Sequence, residues 1–151
     1  MLEIYVDADG CPVKDEVYRV AGRYRLTVWI VANAWLRVPD DPHVRRVTVA
    51  EGLDRVDDWI AERIGQGDIA ITADVPLAAR CVKRGARVIA PDGRRFDAAS
   101  IGSALASRNL MTALREAGEI MTGGRPFTRQ DRARFLNALD AAVQGIRRTG
   151  R

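Results

Sequence analysis

Five aspartates stand where chemistry would be expected. Asp7 and Asp9 close the apolar run Ile4-Tyr5-Val6, and Asp74 closes Ile69-Ala70-Ile71-Thr72-Ala73. Asp54 and Asp57 fall between these runs, where a helix is due to begin. A carboxylate at a strand end loses hydration and repels its neighbours, so several gathered at one edge call for a compensating cation. Oxygen-only ligation suits Mg2+ or Mn2+, whereas zinc would draw on histidine and thiolate. The sole histidine, His43, sits in a predicted loop. A water activated by the ion is then the natural nucleophile, and the ion would offset charge on phosphoryl oxygens, so phosphodiester hydrolysis is the chemistry that fits best.

Each aspartate also has a plain structural role open to it. A strand-end aspartate often caps the next helix, and Asp54 or Asp57 would complement a helix dipole. That account serves any one residue better than it serves Asp7, Asp9 and Asp74 together. Asp58 reads as a solvated helix position, while Asp68 and Asp92 read as turn residues beside Gly67 and Gly93.

The elements that would position these side chains alternate in type. Apolar, β-branched runs at 2–6, 26–31, 45–49, 69–73 and 87–90 interleave with helical stretches at about 13–23, 55–64, 76–84, 98–118 and 129–146. Such alternation predicts an α/β fold with a mostly parallel sheet of about five strands. In a 3-2-1-4-5 strand order, Asp7 and Asp74 approach each other at the switch point, beyond the carboxyl ends of the strands. Asp54 and Asp57, three apart on a helix, would project to the same side. Pro12 and Pro76 suit first helical turns, Gly85 closes the third helix, and Thr128 with Asp131 has the pattern of a capping box.

At 151 residues and 16.7 kDa the chain is expected to form one domain, 1–151, with a C-terminal helical extension at about 98–146. No apolar stretch approaches the roughly 20 residues of a membrane span, and no secretory leader pattern is seen at the N-terminus, so a cytoplasmic location is expected. Cys11 and Cys81 are expected to be free thiols in that compartment. The net charge of +4 is uneven: residues 1–100 carry 15 Lys+Arg against 16 Asp+Glu, and residues 101–151 carry nine against four. The positive excess is therefore C-terminal. Only Lys14 and Lys83 among the 24 basic residues are lysines, and arginine favours bidentate phosphate contacts.

Several further residues bear on a nucleic-acid partner. Asn33 follows the second strand and would face the crevice, in reach of a phosphate or of water on the metal, although turn formation is the commoner role. Arg125, Arg129, Arg132 and Arg134 surround a Gly-Gly loop and the start of the last helix, where amides and guanidinium groups together could bind phosphates; a solvated helix face explains them equally. Trp29 reads as core, and Trp35 as packed over the sheet edge or as an exposed base-stacking ring. Cys11, before Pro12 at a helix start, reads as a small structural cysteine in preference to a nucleophile. Cys81 reads as core.

The blocks Val6-Asp7-Ala8-Asp9-Gly10-Cys11-Pro12-Val13, Gly52-Leu53-Asp54-Arg55-Val56-Asp57 and Gly67-Asp68-Ile69-Ala70-Ile71-Thr72-Ala73-Asp74-Val75-Pro76-Leu77-Ala78 resemble the YaiI/YqxD family of uncharacterised bacterial proteins. Gly123-Gly124-Arg125-Pro126-Phe127 with Asp131-Arg132 and Phe135 resembles that family's C-terminal motif, and Gly10 stands where alanine is expected. The resemblance implies a three-layer α/β/α PIN-like domain, grouped with NYN nucleases that hold Mg2+ or Mn2+ on aspartates of the first and fourth strands and of a helix between. It implies Asp7, Asp57 and Asp74 as metal ligands and Asp9 and Asp54 as members of the same cluster. A metal-dependent ribonuclease acting on RNA is the resulting expectation, by analogy at the level of the fold.

Two rivals belong to other classes. Asp7-Ala8-Asp9-Gly10 also resembles the nucleophile and acid/base pair of haloacid-dehalogenase-type phosphatases. Against that, the later acidic motif is spaced too widely and the chain leaves little room for a cap. The other rival is a noncatalytic nucleic-acid or protein-binding module that keeps the metal for structure.

Overall fold

The computed structural model describes residues 1–116 and 126–149. Arg125 and the Gly123-Gly124 loop, expected above to bind phosphates, lie outside the described residues. Strand β1 (Ile4–Asp7) leads into α1 (Lys14–Tyr24), β2 (Val28–Ala32), β3 (Val44–Thr48), α2 (Arg55–Arg63), β4 (Ile69–Ile71) and α3 (Val75–Lys83). Strand β5 (Arg87–Ile89), β6 (Arg95–Phe96), α4 (Ile101–Glu116) and α5 (Arg129–Thr149) follow.

The strands form one sheet in the order β3-β2-β1-β4-β5-β6. The first five pair in parallel and β6 pairs antiparallel with β5. The expected 3-2-1-4-5 order is therefore present, extended by a sixth strand. Two residues are too few to carry a period-2 pattern, which is why β6 is silent in the sequence. Gly93 makes the hairpin possible at φ 93°, and a Cβ there would lie 2.9 Å from the backbone of Arg134.

Side-chain alternation sorts the core onto the two faces of the sheet. Ile4 and Val6 of β1 join Val28, Ile30, Ile69 and Ile71 against α1 and α5. Tyr5, Val31, Ala70 and Val88 point the other way, against α2 and α3. The last helix is built into the first of these layers, because Phe135, Leu139 and Val143 are fully buried there beside Val17 and Val20. Its start is a reciprocal capping box: the Thr128 amide donates to Asp131 Oδ2 at 2.9 Å, and the Asp131 amide donates to Thr128 Oγ1 at 3.1 Å. Among the described residues no helix is long and apolar enough to cross a membrane.

Candidate functional site

Asp7 follows Tyr5 by two residues, so its side chain leaves the sheet on the α2 side, at the carboxyl end of the central strand. Thr72, just past β4, is 2% exposed and donates its hydroxyl to Asp7 Oδ2 at 2.8 Å. The same hydroxyl oxygen accepts the Asp74 amide at 2.9 Å. Asp74 in turn caps α3, taking the Leu77 amide on Oδ1 at 3.1 Å, with Pro76 in the first turn. The structure thus joins the ends of β1 and β4 through one threonine. Asp74 fulfils the capping role and also stands close enough to Asp7 and Asp57 to act on both as a negative charge.

Asp57 approaches from the first turn of α2. Its carboxyl is pushed up to about 6, first by burial and then by the negative charges of Asp74, Asp7 and Asp54, with Arg80 opposing. Asp7 is raised too, mainly by burial; the Thr72 hydroxyl lowers it, and Asp74 and Asp9 raise it. Asp54 occupies the N-cap position of α2 in the left-handed region, φ 61°, but its side chain makes no cap hydrogen bond. A capping role therefore does not account for Asp54. Asp58 pairs with Arg80 at 2.7 Å.

Asp9 is exposed and accepts the Asn33 amide on Oδ2 at 2.9 Å, while Asn33 Nδ2 donates to the Ala50 carbonyl at 3.3 Å. Asn33 therefore ties β2 to the β1–α1 turn and to the loop after β3. Gly10 in that turn adopts φ 73°, a conformation that favours glycine over alanine. The C-terminal arginines are placed less simply. Arg132 donates to the Pro12 carbonyl at 2.6 Å and to Glu16 at 3.2 Å, which sets the start of α5 beside the β1–α1 turn. Arg134 pairs with the buried Asp131 at 2.6 Å, and Arg129 is exposed. Arg132 and Arg134 are thus engaged within the protein, Arg132 with segments too distant in sequence to be read from it and Arg134 with a carboxylate three residues before it on the same helix.

Cys11 is buried and its thiol is pushed up, chiefly by burial, which rules against the nucleophile reading. Cys81 is buried in α3 and pushed up to about 12 by burial. Both cysteines are free. Thr72 is the site residue that sequence reasoning missed. Its only signal is a hydroxyl within an apolar run, two residues before Asp74.

Among the described residues, no group of three or more His, Cys, Asp or Glu side chains stands arranged to hold an ion. The donor chemistry nevertheless fits a hard divalent cation. Asp7, Asp57 and Asp74 supply oxygen alone, they act on one another as negative charges, and no lysine or arginine forms an ion pair with any of the three among the described residues. A cleft of about 370 Å³ lined by Leu2, Leu26, Asp68 and Ile146 opens at the other end of the sheet, where β1 and β4 begin, and has no part in this site.

These features define a mostly parallel α/β protein with an acidic rim at the carboxyl ends of its two central strands. The family model described as "Uncharacterized BCR, YaiI/YqxD family" matches residues 5–145, and the chain belongs to that family. A "UPF0178 protein" of Rhodopseudomonas palustris (strain BisB18) is 58% identical over 98% of this chain and 96% of its own length. A "UPF0178 protein" of Nitrobacter winogradskyi is 57% identical over 97% of this chain and 94% of its own length. No solved structure matches the chain.

Proposed function

We propose that the protein is a PIN-like, Mg2+- or Mn2+-dependent nuclease that hydrolyses phosphodiester bonds in RNA. The observation that carries this reading is the Asp7–Thr72–Asp74 linkage across β1 and β4, with Asp57 brought against it by α2. Like-charged carboxylates held in this way are relieved by a divalent cation, and the crevice beyond the carboxyl ends of central parallel strands is where such folds bind ligands.

Asp7, Asp57 and Asp74 would hold the ion, with Asp54 at the rim. When bound, the ion supplies an activated water and offsets charge on the phosphoryl oxygens. Thr72 fixes the Asp7 carboxylate and the backbone of Asp74 at once, so both present a set geometry to the substrate. Asp9, oriented by the Asn33 amide, stands beside Asp7 as an acceptor for a proton from water or from a ribose hydroxyl. Asn33 is thereby a positioning residue, and Arg129 lies free on the surface to meet the phosphate backbone.

The direct test is cleavage of a labelled RNA in Mn2+ by the parent protein and by folded Asp7→Asn and Asp74→Asn variants. The parent is expected to cut and to stop in EDTA, with each variant slowed at least about a hundredfold, as removal of a principal electrostatic stabiliser does elsewhere. Equal cutting by parent and variants overturns the proposal. A phosphoryl group trapped on Asp7 would assign the site to phosphatase chemistry.

A further inference from the structure

The rim beside the acidic crevice carries large apolar side chains that the fold leaves in water. Trp35 is 65% exposed and Leu53 is 91% exposed. Trp35 lies two residues from Asn33, whose amide holds Asp9, so by chain reach its backbone is within about 7 Å of that amide. The guanidinium of Arg46 covers one face of the Trp35 ring at 4.6 Å. On the opposite face of the same strand, Arg45 lies over Trp29 at 5.7 Å.

Strand β3 is the outermost strand on this side of the sheet, so its far edge is unpaired. Arginines on an edge strand commonly serve only to block further strand pairing. Two observations exceed that role. An edge needs no exposed indole, and Arg37, two residues after Trp35, and Arg46, over its ring, are both exposed with no ion pair among the described residues. Unspent positive charge beside an aromatic face is the combination that binds single strands, whose bases stack while their phosphates meet arginine.

We infer that the β2–β3 rim is a binding track for single-stranded nucleic acid, with a base stacked on Trp35 and phosphates met by Arg37 and Arg46. The track ends at Asn33 and Asp9, where the strand enters the carboxylate crevice. The inference rests on the nuclease reading for the direction of the strand and on the rim alone for binding. A duplex, whose bases are already stacked on each other, offers no free face to Trp35.

The test is binding of a fluorescent single-stranded RNA to the full chain in EDTA, read by anisotropy, so that no cleavage enters. Trp35→Ala is expected to weaken binding by about fivefold to a hundredfold, and Trp35→Phe to restore most of it. Arg37→Ala with Arg46→Ala should lower the slope of log affinity against log salt by about 1.4. Duplex RNA should show no dependence on Trp35. Failure of the parent to bind, an unchanged affinity for Trp35→Ala, or the same Trp35 effect on duplex overturns the inference. Binding that depends on Trp35 without any cleavage in Mn2+ would sink the nuclease reading and leave the track standing.

Discussion

Thr72 donates its hydroxyl to Asp7 at 2.8 Å and receives the Asp74 amide on the same oxygen at 2.9 Å, so one buried side chain sets the two acidic strand ends against each other. Thr72→Val keeps the shape and removes the hydroxyl, leaving a buried carboxylate oxygen and an amide without their partner. The expected cost is about 1–3 kcal/mol of stability, and Thr72→Ser should recover most of it. Urea unfolding of the metal-free proteins measures this. Because the Thr72 bond is what lowers the Asp7 carboxyl, Thr72→Val should also weaken Mn2+ binding at pH 6 more than at pH 8.

Asp74 caps α3, and the metal role proposed for it is a second one that substitution can separate from the first. Asparagine caps a helix about as well as aspartate, so Asp74→Asn should leave thermal stability nearly unchanged while abolishing metal binding and cleavage. Asp74→Ala should lose both, with a further cost of about 1 kcal/mol in the metal-free protein. Equal destabilisation by the two substitutions would show that the cap is not what the side chain contributes.

Asp57, pushed up to about 6 in the folded protein from an ordinary value near 3.8, gives stability a definite pH dependence. The folded state binds the proton more tightly than the unfolded one. The contribution of this group to stability is therefore greatest below about 4 and is lost as pH rises through about 6. Asp57→Asn should accordingly stabilise the metal-free protein at pH 7.5 and lose that advantage at pH 4. Mn2+ binding should run the other way, weakening as pH falls through the same window, because the proton and the ion compete for the cluster. Chemical denaturation and metal titration at matched pH values check both trends.

Gly93 ties the β5–β6 hairpin to α5. With φ 93° and a would-be Cβ 2.9 Å from the Arg134 backbone, Gly93→Ala meets both strain and collision. A loss of more than about 1 kcal/mol is expected, without loss of Mn2+ affinity per folded molecule.

The architecture was largely legible in the sequence because strands and helices of a parallel α/β sheet alternate with strong apolar contrast. Asp7 and Asp74 stood out because each closes such a run. Thr72 did not, since threonine is an ordinary strand residue and its role depends on which neighbour lies across the sheet. The partner of Arg132 was illegible for a related reason: Arg132 meets Pro12, a contact fixed only by the packing of α5 on α1. Asp54 was expected to complement a helix dipole or to join the cluster, and its place at the N-cap of α2 with a left-handed backbone and no cap bond was not legible.

The most direct test of the central claim is calorimetric titration of Mn2+ into the metal-free protein, comparing the parent with folded Asp7→Asn and Asp74→Asn. Saturable binding in the parent that both substitutions abolish is expected of one site shared between β1 and β4. Saturable binding that survives either substitution, or a parent that binds no Mn2+ even with a non-cleavable RNA present, contradicts it.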